Sequence, residues 1–187
     1  MREALRSRRV VVMVLMFAAM WVAIGGMQVQ QVPAIQAAGV SLATASFIAG
    51  LRGFMSLPGR AMLGPITRRL GTQNALLAAY LLTFIGLLAL AFGGFAGAMA
   101  FAVVTGVVFG VVSPLQGLYS SEVYGQRRIG SLLGAQQAVI SAASATGPVV
   151  LGLLLDAGAG YRAAVGVAAG MVALAIALHV TGMRQAV

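Results

Sequence analysis

The sequence predicts an all-α integral membrane protein, a bundle of six transmembrane helices. Two observations carry that expectation. Six apolar stretches, roughly 10–31, 41–66, 74–92, 96–119, 129–155 and 161–181, fill almost the whole chain. Each has the about 20 residues or more that a helix needs to cross a hydrocarbon core. The arginines between them then fall on alternate sides. Arg2, Arg6, Arg8 and Arg9 precede the first stretch, Arg68 and Arg69 follow the second, Arg127 and Arg128 follow the fourth, and Arg184 follows the last. The remaining loops carry Arg162 alone. Short cytoplasmic loops retain positive charge, so both termini and the two Arg-bearing loops are expected in the cytoplasm, with the bundle in the cell (inner) membrane.

The first span follows a basic segment and resembles the start of a secretory signal. Its apolar run continues past that length, however, and no small-x-small cleavage site stands out beside Gly25, Gly26 and Gln28. It therefore reads as a membrane helix. The connection 32–39 contains Pro33, and Ser41 is placed to cap the second helix. Gly93-Gly94 and residues 157–160 read as the other external turns. Pro58, Pro114 and Pro148 lie inside the second, fourth and fifth spans, where each removes a hydrogen-bond donor and is expected to kink or unwind the helix. Three GxxxG pairs, Gly106/Gly110, Gly130/Gly134 and Gly166/Gly170, predict close helix packing. Ser41-Leu42, Ala45 and Pro58 recur as Ser131-Leu132, Ala135 and Pro148, on helices that enter from opposite sides. Two inverted three-helix repeats would place them so.

Composition excludes several functions. The 187 residues are 60% apolar and 8% charged, where a soluble domain is nearer half and a quarter; mean hydropathy is +0.99. The net charge of +9 is dispersed over loops on one side, which speaks against nucleic acid. There are no cysteines, His179 is the sole histidine, and the carboxylates are Glu3, Glu122 and Asp156, all at span ends or in tails. No acid/base pair, metal cage or cofactor site can be assembled from them, so no enzyme is expected.

After the second span stands Gly59-Arg60-Ala-Met-Leu-Gly64-Pro-Ile-Thr-Arg68-Arg69-Leu-Gly71. After the fourth stands Glu122-Val-Tyr124-Gly125-Gln-Arg127-Arg128-Ile-Gly130, and then Gly147-Pro148, Asp156 and Gly160-Tyr161. These segments resemble the C-terminal half, helices seven to twelve, of a major facilitator superfamily transporter. Within it they look most like the monocarboxylate and oxalate/formate carriers. The loop pattern Gly-x-Leu-x-Asp-Arg-x-Gly-Arg is met at Gly64, Arg69 and Gly71, while Arg68 stands at the Asp position and Thr72 at the final basic one. The resemblance implies one half of a major facilitator fold, built from two inverted three-helix repeats and moving a small solute by alternating access. It also implies partners: the lipid bilayer, a small-molecule substrate, and an N-terminal six-helix half or a second copy of this chain. The rival readings are an exporter of amphipathic compounds and a non-transporting scaffold or remnant.

In such a fold the first, second, fourth and fifth helices line the cavity. Arg52 lies about 16 Å along the second helix at the helical rise, near the midplane, where a charge costs roughly 2.5–3.5 kcal/mol and marks a functional site. Its planar fork of donors suits a carboxylate bidentately. The further candidates for substrate binding are Gln28, Gln31, Ser56, Gln116 and Gln137, with Gln136 and Ser141 beside the last. Arg60, Arg69, Glu122 and Arg128 are the candidate cytoplasmic gate, Glu122 pairing with Arg127 or Arg128. His179 is expected at the membrane interface.

Overall fold

The computed structural model describes residues 8–124 and 129–184. It is all-helical: α1 (Arg8–Gln36), α2 (Leu42–Phe92), α3 (Gly94–Tyr124), α4 (Ile129–Asp156) and α5 (Tyr161–Arg184). All five are long and apolar enough to cross a membrane. Exposed Phe47, Phe54 and Phe92 leave an apolar outer surface suited to lipid.

Five continuous helices stand where the pattern predicts six. Residues 41–66 and 74–92 arrive as one helix because the basic Arg68-Arg69 linker stays helical and turns on a single residue, Gly71, at φ 74°, ψ 161°. That positive φ suits a glycine. Helical dihedrals persist through Pro58 and Pro65, so the break is at the glycine rather than at a proline. As a straight rod, 51 residues would run to about 76 Å. Packing shows that α2 is instead folded back. A Cβ on Gly106 would strike the Arg52 carbonyl and one on Gly110 the Ser56 carbonyl, so the first arm (42–70) runs parallel to α3. Gly86 faces Thr105 and Gly97 faces Ala89, so the second arm (72–92) runs antiparallel to it.

A matching parallel contact joins α1 to α4, where Gly25 meets Ser144 and Gly147 meets Val22 and Gly26 at the backbone. The bundle thus holds two glycine seams, each a parallel helix pair brought closer than any larger residue permits. Among the predicted GxxxG pairs, Gly106/Gly110 forms such a seam. Gly130, Gly134, Gly166 and Gly170 meet nothing within 4 Å and lie on open faces.

The ends follow local chemistry. Ser41 caps α2, its Oγ accepting from the Thr44 amide at 3.2 Å. Gly93 caps the other end, and Gly94 and Gly158 turn with φ 55° and 82°. α1 runs further than expected, to Gln36: Pro33 sits in its last turns, where its carbonyl still accepts from Ala37 at 3.0 Å. The core gathers on α1 through Met16, Phe17, Met20 and Met27, against Leu76 and Tyr80 of α2, Phe101 and Leu115 of α3, and Val172 of α5. α4 differs from the rest. Only 17% of its most apolar window is buried inside the chain, against 61% for α1.

Candidate solute-binding site

Arg52 is 7% exposed and is held without a carboxylate among the described residues. Its Nε donates to Thr105 Oγ1 at 3.0 Å. Its Nη1 donates to Gln28 Oε1 and to Gln31 Oε1, each at 3.0 Å. The guanidinium also lies 5.4 Å from the Phe101 ring centroid and 5.6 Å from that of Phe109, within cation–π range. Helical spacing builds this cage. Phe101, Thr105 and Phe109 recur every four residues on one face of α3, Gln28 and Gln31 lie one turn apart on α1, and the Gly106 seam brings α2 close enough to reach both. Thr105 is fixed in turn by donating to the Phe101 carbonyl at 2.7 Å. The result is a cation at the centre of the bundle, solvated by neutral dipoles and ring faces.

Beside it, between α1 and α4, opens a cleft of about 430 Å³ lined by Trp21, Gln28, Gln137, Ile140, Ser141 and Ser144. Gln28 belongs to both places. It reaches Arg52 on one side and lines the cleft on the other. Trp21 is held by its indole N–H, which donates to Gln116 Oε1 at 2.6 Å.

The expected site residues thus separate. Arg52, Gln28 and Gln31 come together, Gln137 shares the cleft with Gln28, and Gln116 stands behind it as the anchor of Trp21. Ser56 does not join them: its hydroxyl donates to the Gly53 carbonyl of its own helix at 2.7 Å. Gln136 points elsewhere too, accepting from Ser120 at 3.0 Å and Tyr124 at 2.7 Å to tie α3 to α4. The spaces bordering Arg52 are about 10 and 20 Å³, the size of a water, and the guanidinium does not line the cleft.

At the gate, Arg60 and Arg69 are exposed, and Arg128, like Arg127, lies outside the described residues. Glu122 accepts from Thr72 at 2.6 Å, so it ties the end of α3 to the start of the second arm of α2. His179 is buried inside the bundle, at 2% exposure. α5 turns it inward, where Nδ1 lies 3.2 Å from Met16 Sδ and the ring packs against Tyr80 and Tyr119.

Thr105, Phe101, Phe109, Trp21 and Ser144 were not anticipated. The Phe-x₃-Thr-x₃-Phe spacing was the available signal, but in an apolar span it is equally a packing stripe.

The sequence model of the Major Facilitator Superfamily matches residues 10–184. The chain belongs to that superfamily. The family is one of transporters rather than enzymes, and with five apolar helices the chain is an integral membrane protein. No curated protein matches it in sequence. A solved structure similar in fold is a POT family transporter in complex with a thioalcohol-conjugated peptide, at 19% identity and a TM-score of 0.76. The match takes in 93% of this chain and 38% of that one, so the chain spans well under half the length of that transporter.

Proposed function

We propose that this major facilitator chain is one half of a secondary transporter, the C-terminal half of the fold, moving a small organic anion by alternating access. The reversal at Gly71 supports six membrane crossings from five continuous helices. The two parallel glycine seams, α1 with α4 and the first arm of α2 with α3, support a pair of inverted three-helix repeats. The arginine distribution supports cytoplasmic termini in an inner membrane. The outward-facing α4 and the 38% share of the POT transporter's length support a partner, either an N-terminal half or a second copy.

Arg52 carries the anion reading. A cation buried in a span is expensive, and here it sits beside the α1–α4 cleft with no carboxylate to neutralise it among the described residues. A negatively charged solute entering the cleft supplies that charge. The basic loops assign Arg60, Arg69, Glu122 and Arg128 to a cytoplasmic gate, a reading that the Thr72–Glu122 bond supports for Glu122. Titration of the chain in nanodiscs with formate, oxalate and benzoate tests the reading: these bind, and Arg52→Gln abolishes their binding.

The second reading, export of amphipathic compounds, draws on the cleft wall, which holds Trp21, Val29, Ile140 and Pro148 and no ionisable side chain. Binding of hydrophobic cations that carboxylates do not compete away would establish it in place of the first.

A further inference from the structure

Arg52 has five N–H donors and no acceptor, so an amide that meets it must present oxygen. Gln28 and Gln31 both do so, each with Oε1 3.0 Å from Nη1. Flipped, either amide would set its own NH₂ against those donors, so both orientations are fixed by chemistry. The outer ends of the two side chains then differ. Gln31 Nε2 donates to the Gln28 carbonyl at 3.4 Å and does not line the cleft. Gln28 Nε2 has no acceptor among the described residues, and its side chain is exposed at the cleft. Arg52 itself is 7% exposed, borders spaces of about 10 and 20 Å³, and does not line the cleft.

We infer that Gln28 is the residue that reads the solute, with Arg52 acting through it as a positioning residue. The guanidinium holds the amide oxygen, polarises the amide, and sets its NH₂ group in the cleft as a donor for an oxygen of the solute. A hydrogen bond to a charged group strengthens the next bond in the chain, so the buried charge is felt in the cleft without contact. Ser141 and Ser144 across the cleft supply further hydroxyls. This rests on the proposed anion site and names the group that makes its contact.

Trp21, the sole tryptophan in the sequence, lines the cleft and reports occupancy by its fluorescence. The chain in nanodiscs is titrated with benzoate and with benzamide, its neutral counterpart. Both are expected to bind. Gln28→Met should weaken binding about tenfold or more, and clearly more than Gln31→Met, which removes an equal bond to Arg52 from a side chain that does not line the cleft. Arg52→Lys, which can still donate to Gln28, should retain binding that Arg52→Gln loses. Equal losses from Gln28→Met and Gln31→Met would show that both glutamines merely hold Arg52, overturning the relay and sparing the anion reading. Loss in Arg52→Lys equal to that in Arg52→Gln would place the solute on the guanidinium itself, again against the relay. If benzamide binds and depends on Gln28 but benzoate does not bind, the relay stands and the anion reading falls. If neither probe binds, both are wrong.

Discussion

Gly106→Ala attacks the seam that delivers Arg52 to its cage. The added Cβ would lie 2.5 Å from the Arg52 carbonyl oxygen and 2.7 Å from Met55 Cβ. Ordinary contact begins near 3.4 Å, so α2 and α3 must part by about 0.9 Å at this crossing. Two backbones have no soft side chain between them to yield. The same displacement carries Arg52 Nε from 3.0 Å to roughly 3.9 Å from Thr105 Oγ1, beyond a hydrogen bond. It also takes the guanidinium from 5.4 and 5.6 Å to past 6 Å from the Phe101 and Phe109 centroids, where cation–π attraction fades. Overpacking costs about 1–3 kcal/mol, and a lost charged hydrogen bond about 1.5–3 kcal/mol. The two overlap, so a net loss of about 3 kcal/mol is expected. Thermal unfolding in detergent, followed by circular dichroism, should show Tm lowered by roughly 6–12 °C. Gly117→Ala is the control, because a Cβ there meets nothing within 4 Å, and it should leave Tm unchanged. A wild-type Tm for Gly106→Ala would refute the backbone seam and the account of how Arg52 is positioned.

Trp21→Phe leaves Gln116 Oε1, on a side chain only 6% exposed, without its donor. It should cost about 1–3 kcal/mol in the same melt; no loss would mean that the 2.6 Å bond is not formed in solution. His179→Leu removes a buried ring that meets the Gln73 backbone and Met16, so stability should fall, by less than Trp21→Phe costs. No loss would mean that the ring only fills space. The sequence has no cysteine, so single cysteines report topology directly. Those at Gly94 and Ala157 should react with an impermeant maleimide from outside intact cells and one at Gln126 should not; labelling of Gln126 would reverse the orientation. Liposomes holding the chain alone should show no saturable solute flux, whereas counterflow-competent uptake would demand a working homo-oligomer.

What the sequence made legible was whatever depends on composition along one span. The helices follow from apolar length, Ser41 from its capping chemistry, and Arg52 stands out as a charge inside an apolar run. What it hid depends on how spans rotate against one another. Arg52 meets Thr105 fifty-three positions away, and no periodicity announces that pairing. The burial of His179 was hidden too, because a helix apolar on every side gives no sign of which face turns inward. The bond from Thr72 to Glu122, fifty positions apart, was equally hidden, while the pairing of Glu122 with Arg127 or Arg128 lies outside the described residues. Five helices replaced six because an arginine pair marks a membrane edge without saying whether the backbone stays helical through it.

The seams and the cleft also differ in how freely their residues can change over evolutionary time. At Gly25, Gly59, Gly106, Gly110 and Gly147 any side chain collides with a neighbouring backbone, so these positions are frozen by geometry. Gln137 and Ser141 face open space in the cleft, and exchanging them disturbs little of the packed interior. A lineage with this fold can therefore change its solute by altering a few cleft side chains while the framework beneath them stays the same.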